Sequence, residues 1–306
     1  MLRSLFIGLS ENKGIRHFAE QSPLGLRFSS RFVAGTQLAD VVRATQAVNA
    51  MGASVTIDNL GENVTNPAEA RHGADLYHQM LDEIDRHKLN ANISVKLTHM
   101  GFDVSPDLAF ELVGDLVAHA AYINNFVRID MEGSAYTQRT IDFVRQLHRQ
   151  QGYAGKVGTV IQSYLYRSEK DVQDLVADGI RIRLVKGAYK EPPEIAFAKK
   201  ADADANYVKL MKILLKSGLY HGVATHDENI IRATKEFALT ENISPRAYEF
   251  QMLYGVRRDL QQELVREGYG VRVYIPFGVE WYPYFMRRLA ERPANVLFIA
   301  KNVFRQ

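Results

Sequence analysis

Eight short apolar runs rich in β-branched residues alternate with longer segments of helical periodicity, and this alternation constrains the fold more than any other feature. The runs are 53–58, 92–97, 126–131, 156–162, 180–186, 222–226, 248–252 and 271–275. Helical segments follow them at 67–87, 106–123, 135–150, 168–178, 201–217, 227–240, 255–267 and 281–291. Strands that alternate with helices predict a parallel sheet, and eight such units close into a (β/α)8 TIM-like barrel of about 250 residues. The 306-residue chain then divides into an N-terminal helical extension, 1–52, with one helix over 38–51, and the barrel with its C-terminal tail, 53–306. The last helix caps the barrel mouth. An open doubly wound sheet is the alternative. It would carry a glycine-rich turn after its first strand, where this chain has Ile57-Asp58-Asn59-Leu60-Gly61-Glu62 and nowhere a G-x-G-x-x-G.

Local signals punctuate the same plan. Asn66 before Pro67 and Ser105 before Pro106 read as helix N-caps. Gly179, Gly218 and Gly268 read as helix stops. The chain is 46% apolar and 24% charged, which fits a globular protein. With 38 basic against 35 acidic residues, the excess is too small to point to nucleic acid. There is no cysteine, so disulfides, thiolate metal sites and a catalytic thiol are excluded. No run reaches the roughly 18–20 apolar residues of a membrane span. The apolar start Met1–Leu9 is soon followed by Glu11 and Lys13, which predicts a cytoplasmic protein beginning in a short docking helix rather than a signal peptide. The sequons at Asn63, Asn92 and Asn242 are then chance matches.

Strand parity sharpens the reading, because alternate side chains point to opposite faces. Ile93, Val95 and Leu97 oppose Ser94 and Lys96, and Val127, Ile129 and Met131 oppose Arg128, Asp130 and Glu132. Ile182 and Leu184 oppose Arg181 and Arg183, Tyr248 and Phe250 oppose Glu249 and Gln251, and Val271, Val273 and Ile275 oppose Arg272 and Tyr274. One face of each strand is apolar and the other lines the interior. Unpaired charges inside a barrel are costly, so Lys96, Arg128, Asp130, Glu132, Arg183, Lys186 and Glu249 must pair with one another or with a ligand. The reading places this ring at the C-terminal mouth, where barrel enzymes keep their chemistry. Mutual salt bridges beside water are the plainer account of any single member.

Three segments bear on what binds there. Arg181-Ile182-Arg183-Leu184-Val185-Lys186-Gly187-Ala188-Tyr189 brings cations and a flexible glycine to a strand exit, suited to a phosphate or an electron-rich ring. Ala224-Thr225-His226-Asp227 runs straight into a helix N-terminus, a natural anion site, although His226 also fits a capping or core role. Arg287-Arg288, in the last helix, forms a carboxylate clamp if that helix caps the mouth, and otherwise a solvated face.

These segments, with Asp58-Asn59-Leu60-Gly61-Glu62, Ser94-Val95-Lys96-Leu97-Thr98, Arg128-Ile129-Asp130-Met131-Glu132, Val160-Ile161-Gln162-Ser163-Tyr164, Tyr248-Glu249-Phe250-Gln251-Met252-Leu253 and Tyr274-Ile275-Pro276-Phe277-Gly278, occur in order at successive strand ends. The chain thereby resembles the proline dehydrogenase family of FAD-dependent barrels, in its monofunctional bacterial form, from about Phe32 to Glu291. The resemblance implies oxidation of L-proline to Δ1-pyrroline-5-carboxylate by hydride transfer from C5 to the N5 of non-covalent FAD, the first step of proline catabolism. It implies catalytic roles for Arg183, Lys96 and Asp130, and a substrate pocket of Lys96, Asp130, Leu253, Tyr274, Arg287 and Arg288. Glu62 and Arg288 would form a gate. Asp130, Gln162, Arg183, Lys186, Gly187, Ala188, Thr225 and His226 would hold the cofactor. No metal is implied. Lys96 is expected to pair with Asp130. Electrons would pass to a quinone or other acceptor, with peripheral and transient contact at the inner face of the cell membrane.

Two rivals use the same residues. A class I aldolase would form a Schiff base on Lys96 or Lys186. A binding barrel would need the arginine clamp but no redox cofactor. A metal hydrolase is disfavoured because no strand end carries a histidine cluster.

Overall fold

The structure, a computed structural model, describes residues 30–291 and the side chains of 30–286. Helix α1 (Leu38–Ala50) comes first. Strands β1 (Ser54–Asn59), β2 (Ala91–Val95), β3 (Val127–Ile129), β4 (Val157–Gln162), β5 (Arg181–Val185), β6 (His221–Ala224), β7 (Tyr248–Leu253) and β8 (Gly270–Phe277) follow. Between them lie α2 (Pro67–Arg86), α3 (Pro106–Tyr122), α4 (Ser134–His148), α5 (Ser168–Ala177), α6 (Lys200–Lys216), α7 (Glu228–Thr240) and α8 (Arg258–Arg266), and α9 (Trp281–Glu291) ends the described chain. Each strand pairs with the next in parallel, and β8 returns to β1 with Ser54 opposite Arg272 and Asn59 opposite Phe277. The expected closed barrel is what forms.

The apolar parity set is buried under the helices. Val55, Ile93, Val95, Val127, Ile129, Ile182, Leu184 and Val273 join Tyr77, Leu81, Val113, Leu116 and Leu147 from the helices in one core. Each such side chain contributes roughly 1.5–3 kcal/mol of burial. The caps form as read. Asn66 accepts a hydrogen bond from the Glu69 amide at 3.0 Å and Ser105 one from the Leu108 amide at 3.2 Å. Gly179, Gly218 and Gly268 take φ of +76°, +77° and +86°, a region open to glycine.

Boundaries move where the chain turns towards the mouth. β2 stops at Val95 and β3 at Ile129, so Lys96, Asp130 and Glu132 lie just beyond the ladder instead of inside it. α8 begins at Arg258 rather than 255. Gly255 has φ +73° with the space above it filled by the Arg31 carbonyl, and Arg257 is left-handed at +50°. Neither conformation propagates a helix.

The two flanking helices explain how the mouth is built. α1 sends Val41 and Val48 into the same core as β1 and β8, and so lies on the barrel wall although it precedes β1. α9 packs elsewhere. Its Trp281, Tyr282, Tyr284, Phe285 and Met286 cluster with Phe32, Val33 and Leu60. Leu60 follows the C-terminal end of β1, which places α9 at the mouth. Among the described residues no helix is long and apolar enough to cross a membrane.

Candidate active site

The interior is built of polar side chains at two heights. At the mouth, Asp130 is the hub. Its Oδ1 accepts from Ser94 Oγ at 2.6 Å and from Arg183 Nη1 at 2.7 Å, and its Oδ2 accepts from the Tyr274 hydroxyl at 2.8 Å. Arg183 also lies 5.1 Å over the Tyr274 ring and donates through Nε to Gln251 Oε1 at 2.5 Å. Its Nη2 is buried and has no hydrogen-bond partner among the described residues. Four strands, β2, β5, β7 and β8, and the exit of β3 thus converge on one guanidinium and one carboxylate. Burial and the neighbouring Asp130 and Asp58 hold the Tyr274 phenol far above its usual range, so it is a donor at all working pH.

Lys96 does not pair with Asp130 as expected. Its ammonium sits 3.2 Å from both oxygens of Asp58, whose side chain is 1% exposed. The reason is occupancy. Asp130 is already filled by Arg183, Ser94 and Tyr274, while Asp58, on β1, has no other cation among the described residues and accepts a long hydrogen bond from the Tyr77 hydroxyl at 3.4 Å. Burial works against the Lys96 charge, but Asp58, Asp130 and Glu62 outweigh it and hold its pKa above the ordinary lysine value. Burial pushes the Asp58 carboxyl up, Lys96 pulls it down, and Asp130 adds to the rise. Glu132 is likewise raised by burial, against hydrogen bonds from the Thr98 amide and hydroxyl.

The expected ring of seven charges divides. Lys96, Asp130, Glu132, Arg183 and Lys186 belong to the mouth. Arg128 and Glu249 do not. Arg128 is the second residue of β3 and Glu249 the second of β7, near the strand starts, and both line the opposite end of the barrel. Parity gives the face of a strand but not the height, which is fixed by the stagger of a closed sheet. Asp58 was missed, though reading β1 by the same parity puts Thr56 and Asp58 opposite Val55 and Ile57.

A second cluster sits beside the first. Lys186 is held by Asp204 at 2.7 Å and Asp227 at 2.8 Å. Asp227 also caps α7, accepting from the Asn229 amide, while its own amide donates to Thr225 Oγ1 at 3.1 Å. The helix N-terminus read as an anion site therefore already carries a carboxylate. His226 Nε2 accepts from the Leu253 amide at 2.9 Å, which puts the ring proton on Nδ1 and ties the two clusters together. Leu253 is half-buried opposite Tyr274. Gln162 Nε2 donates to the Glu132 carbonyl at 3.0 Å. Gly187 has φ +117°, and a Cβ there would lie 2.2 Å from the Tyr164 ring. Its glycine is thus required by its own neighbour as well as by any ligand. Glu62 is half-buried behind β1. Arg287 and Arg288 lie in α9, outside the described side chains, so the clamp and the Glu62–Arg288 gate fall there too.

Comparison with known proteins follows the same lines. The sequence profile described as proline dehydrogenase matches residues 41–301. Proline dehydrogenase 1 of Bacillus subtilis is 41% identical over 308 residues, covering 100% of both chains. The proline dehydrogenase of Deinococcus radiodurans is 39% identical over 310 residues, covering 100% of this chain and 98% of its own. Among solved structures, proline utilization A from Bdellovibrio bacteriovorus, inactivated by N-propargylglycine, superposes with TM-score 0.82 at 25% identity. The match covers 94% of this chain and 36% of that longer one.

Proposed function

This chain belongs to the proline dehydrogenase family of oxidoreductases, and from that premise we propose that it oxidises L-proline to Δ1-pyrroline-5-carboxylate with FAD, opening proline catabolism. The observation that carries the reading is the convergence on Asp130 of Arg183, Ser94 and Tyr274 at the barrel mouth. The donor set fits a flavin. Arg183 offers a fixed cation with a buried Nη2 that has no partner among the described residues, and the positive-φ Gly187 presents its backbone beside Lys186. Arg183, Gln162, Lys186, Gly187, Ala188, Thr225 and His226 would hold the cofactor, with Asp130 fixing Arg183. When bound, the flavin supplies the two-electron acceptor for the C5 hydride.

The chain's own residues do the rest. Arg287 and Arg288 take the substrate carboxylate in forked hydrogen bonds. Leu253 and Tyr274 press on the pyrrolidine ring and set its face, which supplies the orientation that hydride transfer needs. Lys96, kept cationic by Asp58, disfavours a second cation beside it, so the substrate nitrogen binds as the free amine. Arg183, held by Asp130 and Gln251, would supply a fixed positive charge beside the cofactor. Glu62 closes on Arg288 over bound substrate and excludes water. The electrons would leave to a quinone-type acceptor, met at a peripheral membrane contact.

The visible absorption spectrum of the purified protein, before and after anaerobic L-proline, tests this. Oxidised-flavin bands that bleach with proline are expected. A colourless protein that cannot be loaded with FAD overturns the reading and turns attention to Lys96 and Lys186 as Schiff-base residues. In Arg288→Met, KM for proline should rise far more than flavin content falls. Stoichiometric flavin loss would reassign that arginine.

A further inference from the structure

The lower of the two polar layers is unused by this chemistry. It lines a cavity of about 520 Å³ that opens between the loops preceding β2, β3 and β4, at the end of the barrel opposite the mouth. That volume lies in the range of small-molecule sites. Its inner wall carries Arg128, Arg181, Arg272 and Glu249, and Arg183 reaches its roof.

The cations outnumber their partners. Glu249 is committed, accepting from Arg272 Nε at 2.7 Å, Gln251 Nε2 at 2.6 Å and the Tyr220 hydroxyl at 3.1 Å. Arg183 is committed to Asp130. Arg128 and Arg181 have no carboxylate within ion-pair distance among the described residues. Arg128 is 3% exposed. Its Nη1 donates to the carbonyls of Thr159 at 2.8 Å and Arg181 at 2.6 Å, while its Nε is buried without a partner among the described residues. Arg181 donates through Nε to the Tyr220 carbonyl at 3.1 Å and, among the described residues, through no other atom. The two guanidiniums share the ring of Phe126, at 4.7 and 4.4 Å from its centroid. Burial, and then the like charges of Arg183 and Arg181, drive the Arg128 pKa down. Glu249 acts on both from beyond ion-pair distance, but it is already paired with Arg272, so two like charges held on one aromatic ring, with donors left over, are only partly compensated. Removing uncompensated buried charge is what a bound anion does.

We propose that the cavity at the floor of the barrel binds a small oxyanion-bearing molecule through the forked donors of Arg128 and Arg181, with Lys156 at its rim drawing the anion in. Phosphate and carboxylate share the required chemistry, since both match a guanidinium fork. The cavity exceeds a bare oxyanion in size, so the ligand has a further polar body. Arg183 and Gln251 bound the cavity on the side of the mouth, but its floor cations lie outside the mouth cluster and the proposal does not rest on the flavin reading.

Calorimetric titration of the FAD-loaded protein at low ionic strength, with inorganic phosphate in one arm and succinate in the other, tests it. Saturable binding in either arm is expected, and the arm that binds assigns the group. Arg181→Gln should weaken binding by about tenfold or more, as expected for loss of a charge-assisted contact. Lys156→Glu, which reverses a charge at the rim without entering the wall, should weaken it too and keeps the test decisive if Arg181→Gln unfolds. Absence of saturable binding in both arms, or binding that survives both substitutions, overturns the proposal.

Discussion

Asp58→Asn isolates one buried ion pair. The carboxylate is 1% exposed and the Lys96 side chain 14%, with the ammonium 3.2 Å from both oxygens. At that separation and an effective dielectric of 20, the attraction is about 5 kcal/mol. Asparagine keeps the shape and one acceptor but removes the charge. Asp130 and Glu62, which also act on Lys96, recover part of the loss. The net cost should be about 3 kcal/mol, the low end for breaking a buried pair. In a chain of this size that lowers the thermal midpoint by about 5 °C. Lys96→Met should also destabilise, by leaving Asp58 facing Asp130 alone. The double variant should recover much of the loss, because an unpaired charge is worse than no charge. Urea and thermal unfolding of the four proteins at neutral pH form the cycle, with a coupling energy of about 2–3 kcal/mol expected. A single Asp58→Asn cost under about 1 kcal/mol together with coupling under about 0.5 kcal/mol would refute the pairing.

His221 should make the fold acid-sensitive. Its Nδ1 accepts from the Ile182 amide at 2.9 Å and its pKa is lowered to about 3, by burial first and by Arg128 and Arg181. The unfolded state therefore binds more protons between pH 6.5 and about 3, and stability falls as pH falls through that window, by on the order of 4 kcal/mol at the bottom. His99, lowered to about 4 by burial, adds to it in the same sense. In His221→Leu the slope of unfolding free energy against pH should flatten. Gly222→Ala would place a methyl 2.3 Å from the Gln251 amide that holds Arg183. It should cost about 1–3 kcal/mol and lower kcat more than flavin content, as measured by turnover per bound flavin. Gly187→Ala, at φ +117° against Tyr164, should lose flavin on gel filtration while retaining the barrel's circular dichroism.

The barrel itself was legible in the sequence, because burial beneath helices imposes a strict two-residue apolar period on strands and a 3.6-residue period on helices. The caps at Asn66 and Ser105 and the stops at Gly179, Gly218 and Gly268 were legible for the same local reason. So was the inward direction of Ser94, Lys96, Arg128, Asp130, Arg183 and Tyr274, which follows from parity alone. Height and partnership were not legible. Arg181 and Arg183 read identically along the chain and both border the floor cavity, yet only Arg183 reaches Asp130. Lys96 meets Asp58 and not Asp130, and Lys186 meets Asp204 from a helix nearly twenty residues on. Those outcomes depend on how far each strand is staggered against its neighbour when the sheet closes, and on which carboxylate is already filled. Periodicity is a property of a segment and so can be read from it. Stagger and occupancy belong to the closed ring of eight strands, and exist only once all of them are in place.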